Sequence, residues 1–138
     1  MKNKRNGGFT LLELLVVIGI IGVLMALATV AYSSAQSGGR NSRRKQDVVS
    51  IQNALEQYYS ENNFKYPVGT CKAAANYMKS AWPVDPNTDL DYTGVDSCAD
   101  TSYCICATME PVNATSGNSA INCNWNSGKT HYCVGNLQ

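Results

Sequence analysis

Two groups of residues in this chain carry chemistry by their type and spacing. A single carboxylate, Glu13, stands near the start of a 24-residue apolar run from Phe9 to Tyr32, and two glycines, Gly7 and Gly8, come just before that run. Six cysteines, Cys71, Cys98, Cys104, Cys106, Cys123 and Cys133, all fall in the second half. As an α-helix the apolar run is about 36 Å long, enough to cross roughly 30 Å of hydrocarbon. An ionised group inside a bilayer costs on the order of a few kcal/mol and usually marks a function. Glu13 therefore needs a partner.

Three fates compete for the run. It is a cleaved secretory signal, with Ala26-Leu27-Ala28 as the small-residue cleavage site, or a permanent signal-anchor, or a helix cut between Gly8 and Phe9 and kept. Glu13 is a liability in the first two. Cleavage after Gly8 gives it a role, because Phe9 then carries an α-ammonium one helical turn away, at i+4. The carboxylate can meet that ammonium or one from a neighbouring helix. Either charge buried alone is expensive, whereas a pair is tolerated. Glu13 then acts as a register device for helix–helix assembly, and Gly8 is the small residue a protease can grip.

The remaining elements must position these groups. The chain has 138 residues and a net charge of +1, which gives no reason to expect a polyanion partner. Lys2, Lys4 and Arg5 precede the apolar run, and Arg40, Arg43, Arg44 and Lys45 follow it, so the flanks do not fix its orientation. The segment from Phe64 to Gln138 is poor in aliphatic side chains and struggles to offset its conformational entropy. Six cysteines behind a membrane segment read as a disulfide framework formed in an oxidising compartment, each bridge worth roughly 2–4 kcal/mol. That half is expected outside the cytoplasm.

Val48, Ile51, Leu55 and Tyr58 recur at spacings of three and four, which predicts an amphipathic helix over 41–62. Asn62-Asn63 and Pro67 stop it. From Tyr103 to Glu110 the sequence alternates, with Tyr103, Ile105, Ala107 and Met109 on one face and Cys104, Cys106 and Thr108 on the other. The stretch 122–136 reads as a hairpin turning at Ser127-Gly128. The expected class is α+β: a long N-terminal helix, half transmembrane and half amphipathic, packed on an antiparallel sheet of three or four strands. The expected organisation is a basic leader over 1–8, an assembly helix over 9–32, its amphipathic continuation over 33–63, and a disulfide-stapled head over 64–138.

Cys104 and Cys106, two apart on a strand, are about 6.6 Å Cα to Cα, near the upper limit for a bridge. The expected pairing is Cys71–Cys98, with Cys104 and Cys106 reaching Cys123 and Cys133 in some order. The rival is a metal site from Cys104, Cys106, His131 and Cys133, which an exported, oxidising location disfavours. Asp85, Asn87, Asp89, Asp91 and Asp96 fall at the offsets of a calcium loop. Leu90 replaces the required glycine and Asp96 the required glutamate, so a solvated acidic loop is the better reading. The basic run Arg40–Lys45 reads as a solvated or headgroup-facing collar, or as a partner for acids of another head, rather than as a DNA site: no stacking aromatics flank it. Asn113-Ala114-Thr115 is a glycosylation sequon. With one histidine, no Gly-rich phosphate loop and no nucleophile beside an evident base, no enzyme and no cofactor are expected.

The string Gly7-Gly8-Phe9-Thr10-Leu11-Leu12-Glu13, with Gly22 beyond it, resembles the class III leader and N-terminal helix of type IV pilins and pseudopilins. The resemblance implies removal of the leader after Gly8 by a prepilin peptidase that also N-methylates Phe9. It implies pairing of Glu13 with the terminal amine of an adjacent subunit. The Pro83-Val84-Asp85-Pro86 loop is also similar to the family. Many type IV pilins carry a proline where this chain has Val30; without it, flexibility would come from Gly38-Gly39.

The implied function is that of a prepilin, the structural subunit of a type IV pilus filament polymerising through its N-terminal helix. A pseudopilin of a type II secretion or competence system is the alternative, and a membrane-tethered binding module that never polymerises is the reading from another class. The implied partners are other pilin subunits, the prepilin peptidase, the assembly platform and, before assembly, the membrane that the chain spans once. Afterwards the filament is extracellular, with the apolar helices bundled in its core and the heads outside. A large, disulfide-rich head favours the pilus over a periplasmic piston.

Overall fold

A computed structural model describes residues 8–111 and 115–138. The leader residues Met1 to Gly7, and Asn113 and Ala114 of the sequon, lie outside the described residues. The chain forms two compact units that divide between Gln36 and Ser37.

Helix α1 runs from Leu11 to Glu61. No proline interrupts it, and Leu, Ile, Ala and Gln supply helix propensity. Gly38 and Gly39 stay helical at a cost of about 1 kcal/mol each. In the first unit, Leu11, Leu12, Ile18, Leu24 and Leu27 are all exposed. An 18-residue window of α1 has a mean hydropathy of 2.8 with none of it buried within the chain. It is long and apolar enough to cross a membrane.

In the second unit α1 turns Val48, Ile51, Ala54 and Leu55 into the core, and Tyr58 packs against them. The predicted apolar face is the buried face. Asn62 ends the helix by donating from Nδ2 to the Tyr58 carbonyl (2.8 Å), and Asn63 and Phe64 turn back with φ of 55° and 58°. A 3₁₀ helix, Cys71–Tyr77, follows.

The sheet has four antiparallel strands, β1 (Cys104–Thr108), β2 (Ser119–Ala120), β3 (Asn124–Trp125) and β4 (His131–Gly135), in the order β1-β4-β2-β3. Tyr103, Ile105, Ala107 and Met109 are buried in the same cluster as the helix face. Thr108, of the opposite set, is exposed.

The predicted hairpin over 122–136 is corrected. Its two strands do not pair, because β2 lies between them: Ser119 faces Trp125 on one side and His131 on the other. The tight reversal falls earlier, where Asn122 and Cys123 take φ of 62° and 55°. That turn lets β3 fold back on β2, and the loop through Ser127-Gly128 crosses over β2 to reach β4.

Candidate functional site

The Gly8–Phe9 bond lies ahead of the helix, in non-helical backbone, and both residues are exposed. A protease can reach it without unwinding α1. At the start of α1, Glu13 Oε2 accepts from the Thr10 backbone N–H at 2.9 Å and from Thr10 Oγ1 at 2.9 Å. Thr10 Oγ1 in turn accepts from the Glu13 N–H at 3.2 Å. This is a capping box: each residue satisfies a backbone donor that the first helical turn leaves free, and the carboxylate sits at the positive end of the helix dipole. Residue-type reasoning found Glu13 but missed Thr10. The signal was present, since Thr-x-x-Glu before an apolar run is the mark of such a box.

The basic run Arg40–Lys45 is not a solvated collar throughout, and that expectation is corrected for two of its cations, Arg40 and Arg44. Arg44 is buried, 3% exposed, inside its own head. Its Nε donates to Asp85 Oδ2 at 2.6 Å and its Nη2 to Asp85 Oδ1 at 3.1 Å. The same Nη2 pairs with Glu110 Oε1, and Nη1 donates to Asn41 Oδ1 at 3.0 Å. Arg40 closes the group with a bidentate pair to Glu110. Asn41 clamps the Glu110 backbone from both sides, accepting from its N–H and donating to its carbonyl. Lys45 lies over the Tyr132 ring, 5.5 Å from its centroid, and Arg43 remains exposed beside Asp47. A run whose two best-placed guanidiniums are committed internally is a poor polyanion site.

This network sets a pH dependence. The Arg40 hydrogen bonds hold the Glu110 carboxyl below its ordinary value of 4.5, with Arg44 adding to them against desolvation. Desolvation pushes Asp85 upward, but Arg44 and the N–H groups of Asn87 and Thr88 outweigh it and leave the carboxyl below 3.8. Both folded values are depressed, so their contribution is fully present above the ordinary carboxylate range and is lost as pH falls through the folded values. Urea midpoints of the head are expected to be flat from neutral pH down to about 5 and to fall below about 4, where the unfolded carboxylates take up protons first. A midpoint that rises on acidification would contradict the assignment.

Three of the five calcium-loop candidates have other partners. Asp85 serves Arg44, Asp91 takes Lys72 Nζ at 2.6 Å, and Asp96 Oδ1 accepts from Thr70 Oγ1 at 3.2 Å. Asp85, Asn87 and Asp91 line a cleft of about 330 Å³ with Arg44 and Glu110, and Asp89 and Asp96 are not among its lining residues. Among the described residues the acids form no group of three or more around a common point.

The cysteines pair as Cys71–Cys98, Cys104–Cys123 and Cys106–Cys133. His131 stands apart from the sulfurs, with Nδ1 at 2.9 Å from Thr130 Oγ1. A hub that sequence reasoning missed is Glu56, whose Oε1 accepts from Tyr66 and Tyr103 hydroxyls at 2.9 and 2.8 Å and from the Leu137 N–H at 3.1 Å. Burial, then the nearby Glu56 carboxylate, pushes both phenols well above their ordinary range.

Comparison with known proteins places these features. A family profile described as the prokaryotic N-terminal methylation motif matches residues 3–29. The chain is 37% identical over 67 residues to type II secretion system core protein G of Aeromonas hydrophila, covering 49% of this chain and 46% of that protein. It is 36% identical over 61 residues to the type IV major pilin protein PilA of Myxococcus xanthus, covering 44% of this chain and 28% of that protein. Against core protein G of Escherichia coli it is 34% identical over 98 residues, covering 59% of this chain and 67% of that protein. The chain thus spans less than half the length of the first two relatives. No solved structure matches it.

Proposed function

The chain belongs to the type IV pilin and pseudopilin family, and from that premise we propose that it is the precursor of a structural filament subunit of a type IV pilus, without enzymatic activity. The prepilin peptidase cuts it after Gly8 and methylates Phe9. The mature subunit waits in the membrane on its apolar helix segment and then polymerises with like subunits on an assembly platform. One observation carries this reading: an accessible Gly8–Phe9 bond stands one turn from the sole carboxylate of an otherwise apolar helix segment whose described side chains are exposed. Three disulfides in an aliphatic-poor head suit a filament exposed outside the cell, which favours a pilus. The naming of several relatives as type II secretion core proteins favours a second reading, a pseudopilin, by the same assembly chemistry.

Intact-mass and N-terminal analysis of the protein from its own cells tests the shared step. The expected product begins at Phe9, is heavier by one methyl group, and contains three disulfides. A product beginning at Thr29 would make the run an ordinary signal peptide and sink both readings. Abundance in sheared surface filaments separates them: a pilus subunit dominates the sheared material, and a pseudopilin stays with the cells.

A further inference from the structure

Three of the cysteine-bearing elements converge. Strand β1 puts Cys104 and Cys106 on one face, and Cys133 of β4 lies opposite Cys106 in the register. The 3₁₀ turn Ile121–Cys123, reversed at Asn122, brings Cys123 to Cys104. The result is four sulfurs that all lie within 4.8 Å of one another. Cys104 Sγ and Cys106 Sγ, which are not bonded to each other, are 3.7 Å apart. Cys71 and Cys98 do not belong to the group.

We propose that these four residues form a tetrathiolate site for a soft tetrahedral cation of the zinc(II) class when the chain is reduced. A tetrahedral centre with metal–sulfur bonds of about 2.3 Å holds its sulfurs about 3.8 Å apart. The unbonded Cys104–Cys106 distance already has that value. The bonded pairs open on reduction, and the longest separations close by about 1 Å. Cys106 and Cys133 are buried while Cys104 and Cys123 are half-buried, so the site is walled on one side and reachable on the other. His131, the ligand suggested by residue type alone, is outside the group.

The two states exclude each other. Two equivalents of a dithiol reductant supply four electrons, each becoming a cyclic disulfide as one protein disulfide becomes two thiols. One zinc(II) then replaces four protons on the four sulfurs. In the oxidised chain the same sulfurs bond to each other and cannot ligate. The reduced head would thus keep β1, β4 and the Ile121–Cys123 turn tied through a metal instead of through two disulfides.

The full chain, in detergent micelles and reduced with a dithiol that is then removed without air, is titrated with cobalt(II) as a spectroscopic stand-in. The expected result is a one-to-one endpoint with thiolate-to-cobalt charge transfer and the intense visible bands of a tetrahedral centre, displaced by zinc. Zinc should protect four of the six cysteines from alkylation, leaving Cys71 and Cys98 labelled. The double variant Cys71→Ser, Cys98→Ser keeps the bands, and Cys123→Ser loses them. If the reduced chain unfolds without metal, one equivalent of zinc should restore its near-ultraviolet circular dichroism. Protection spread over all six cysteines, loss of the bands in the Cys71→Ser, Cys98→Ser chain, or no tetrahedral bands at one equivalent would overturn the site.

Discussion

Glu13→Ala is expected to abolish filaments while the precursor still enters the membrane at normal abundance. Two effects of the substitution must be separated. Losing the capping box with Thr10 costs the helix about 1 kcal/mol, too little to prevent assembly. Losing the partner of a terminal ammonium buried among apolar helices costs about 3–5 kcal/mol per contact, or roughly 150- to 5,000-fold in association. Glu13→Gln decides between them, because a glutamine at this position of the box still accepts from the Thr10 N–H but carries no charge. Filament loss in both variants supports pairing with the ammonium. Rescue by glutamine would reduce Glu13 to a helix cap, and a chain confined to the membrane fraction in parent and variants alike, with no effect of either substitution, would favour a membrane tether that never polymerises. Immunoblots of sheared and membrane fractions read all three results.

The two residues at the proposed cleavage point and the acid beyond them were legible because the chemistry they suggest is local: a small residue, the residue whose amine cleavage would free, and a carboxylate within one turn. The helix face was legible because it buries one side, and β1 because Tyr103, Ile105, Ala107 and Met109 alternate into the core; each leaves a period in the residues. What could not be read is long-range. Strands β2 and β3 have two residues each, too few to carry any period, so the insertion of β2 between β3 and β4 left no trace. The order of the cysteine pairs depended on register. Cys106 faces Cys133 while Cys104 faces Gly135, so Cys104 has no cysteine across the strand and must reach the turn at Cys123. The same applies to the basic run. Its fate rests on partners 41 and 70 residues away, and nothing near Arg44 in the chain distinguishes a buried guanidinium from a solvated one.

Arg44→Ala should be the most damaging single charge removal in the head. The intact network is not obviously more stable than an apolar replacement would be, since desolvation of its four ions opposes their attraction. Breaking it is different. Without Arg44, Asp85 loses its bidentate donor, Glu110 keeps only Arg40, and Asn41 Oδ1 loses one of its two hydrogens. Two carboxylates then face a site shaped for a guanidinium, at a cost of about 3–5 kcal/mol. For a head of this size that lowers Tm by roughly 15 °C or more. Arg40→Ala, at the more exposed end of the group, should cost far less, as exposed ion pairs do. Arg44→Lys should fall between them, because an ammonium cannot span Asp85, Glu110 and Asn41 with the planar fork that holds them now. Combining Arg44→Ala with Asp85→Asn should recover part of the loss, since the stranded charge is what costs most. The measurement is thermal unfolding of the full chain in detergent, followed by near-ultraviolet circular dichroism with the disulfides intact. An Arg44→Ala chain that melts within a few degrees of the parent would show that the guanidinium, though buried, carries no structural weight. The basic run would then have to be reconsidered as a surface awaiting an external anion.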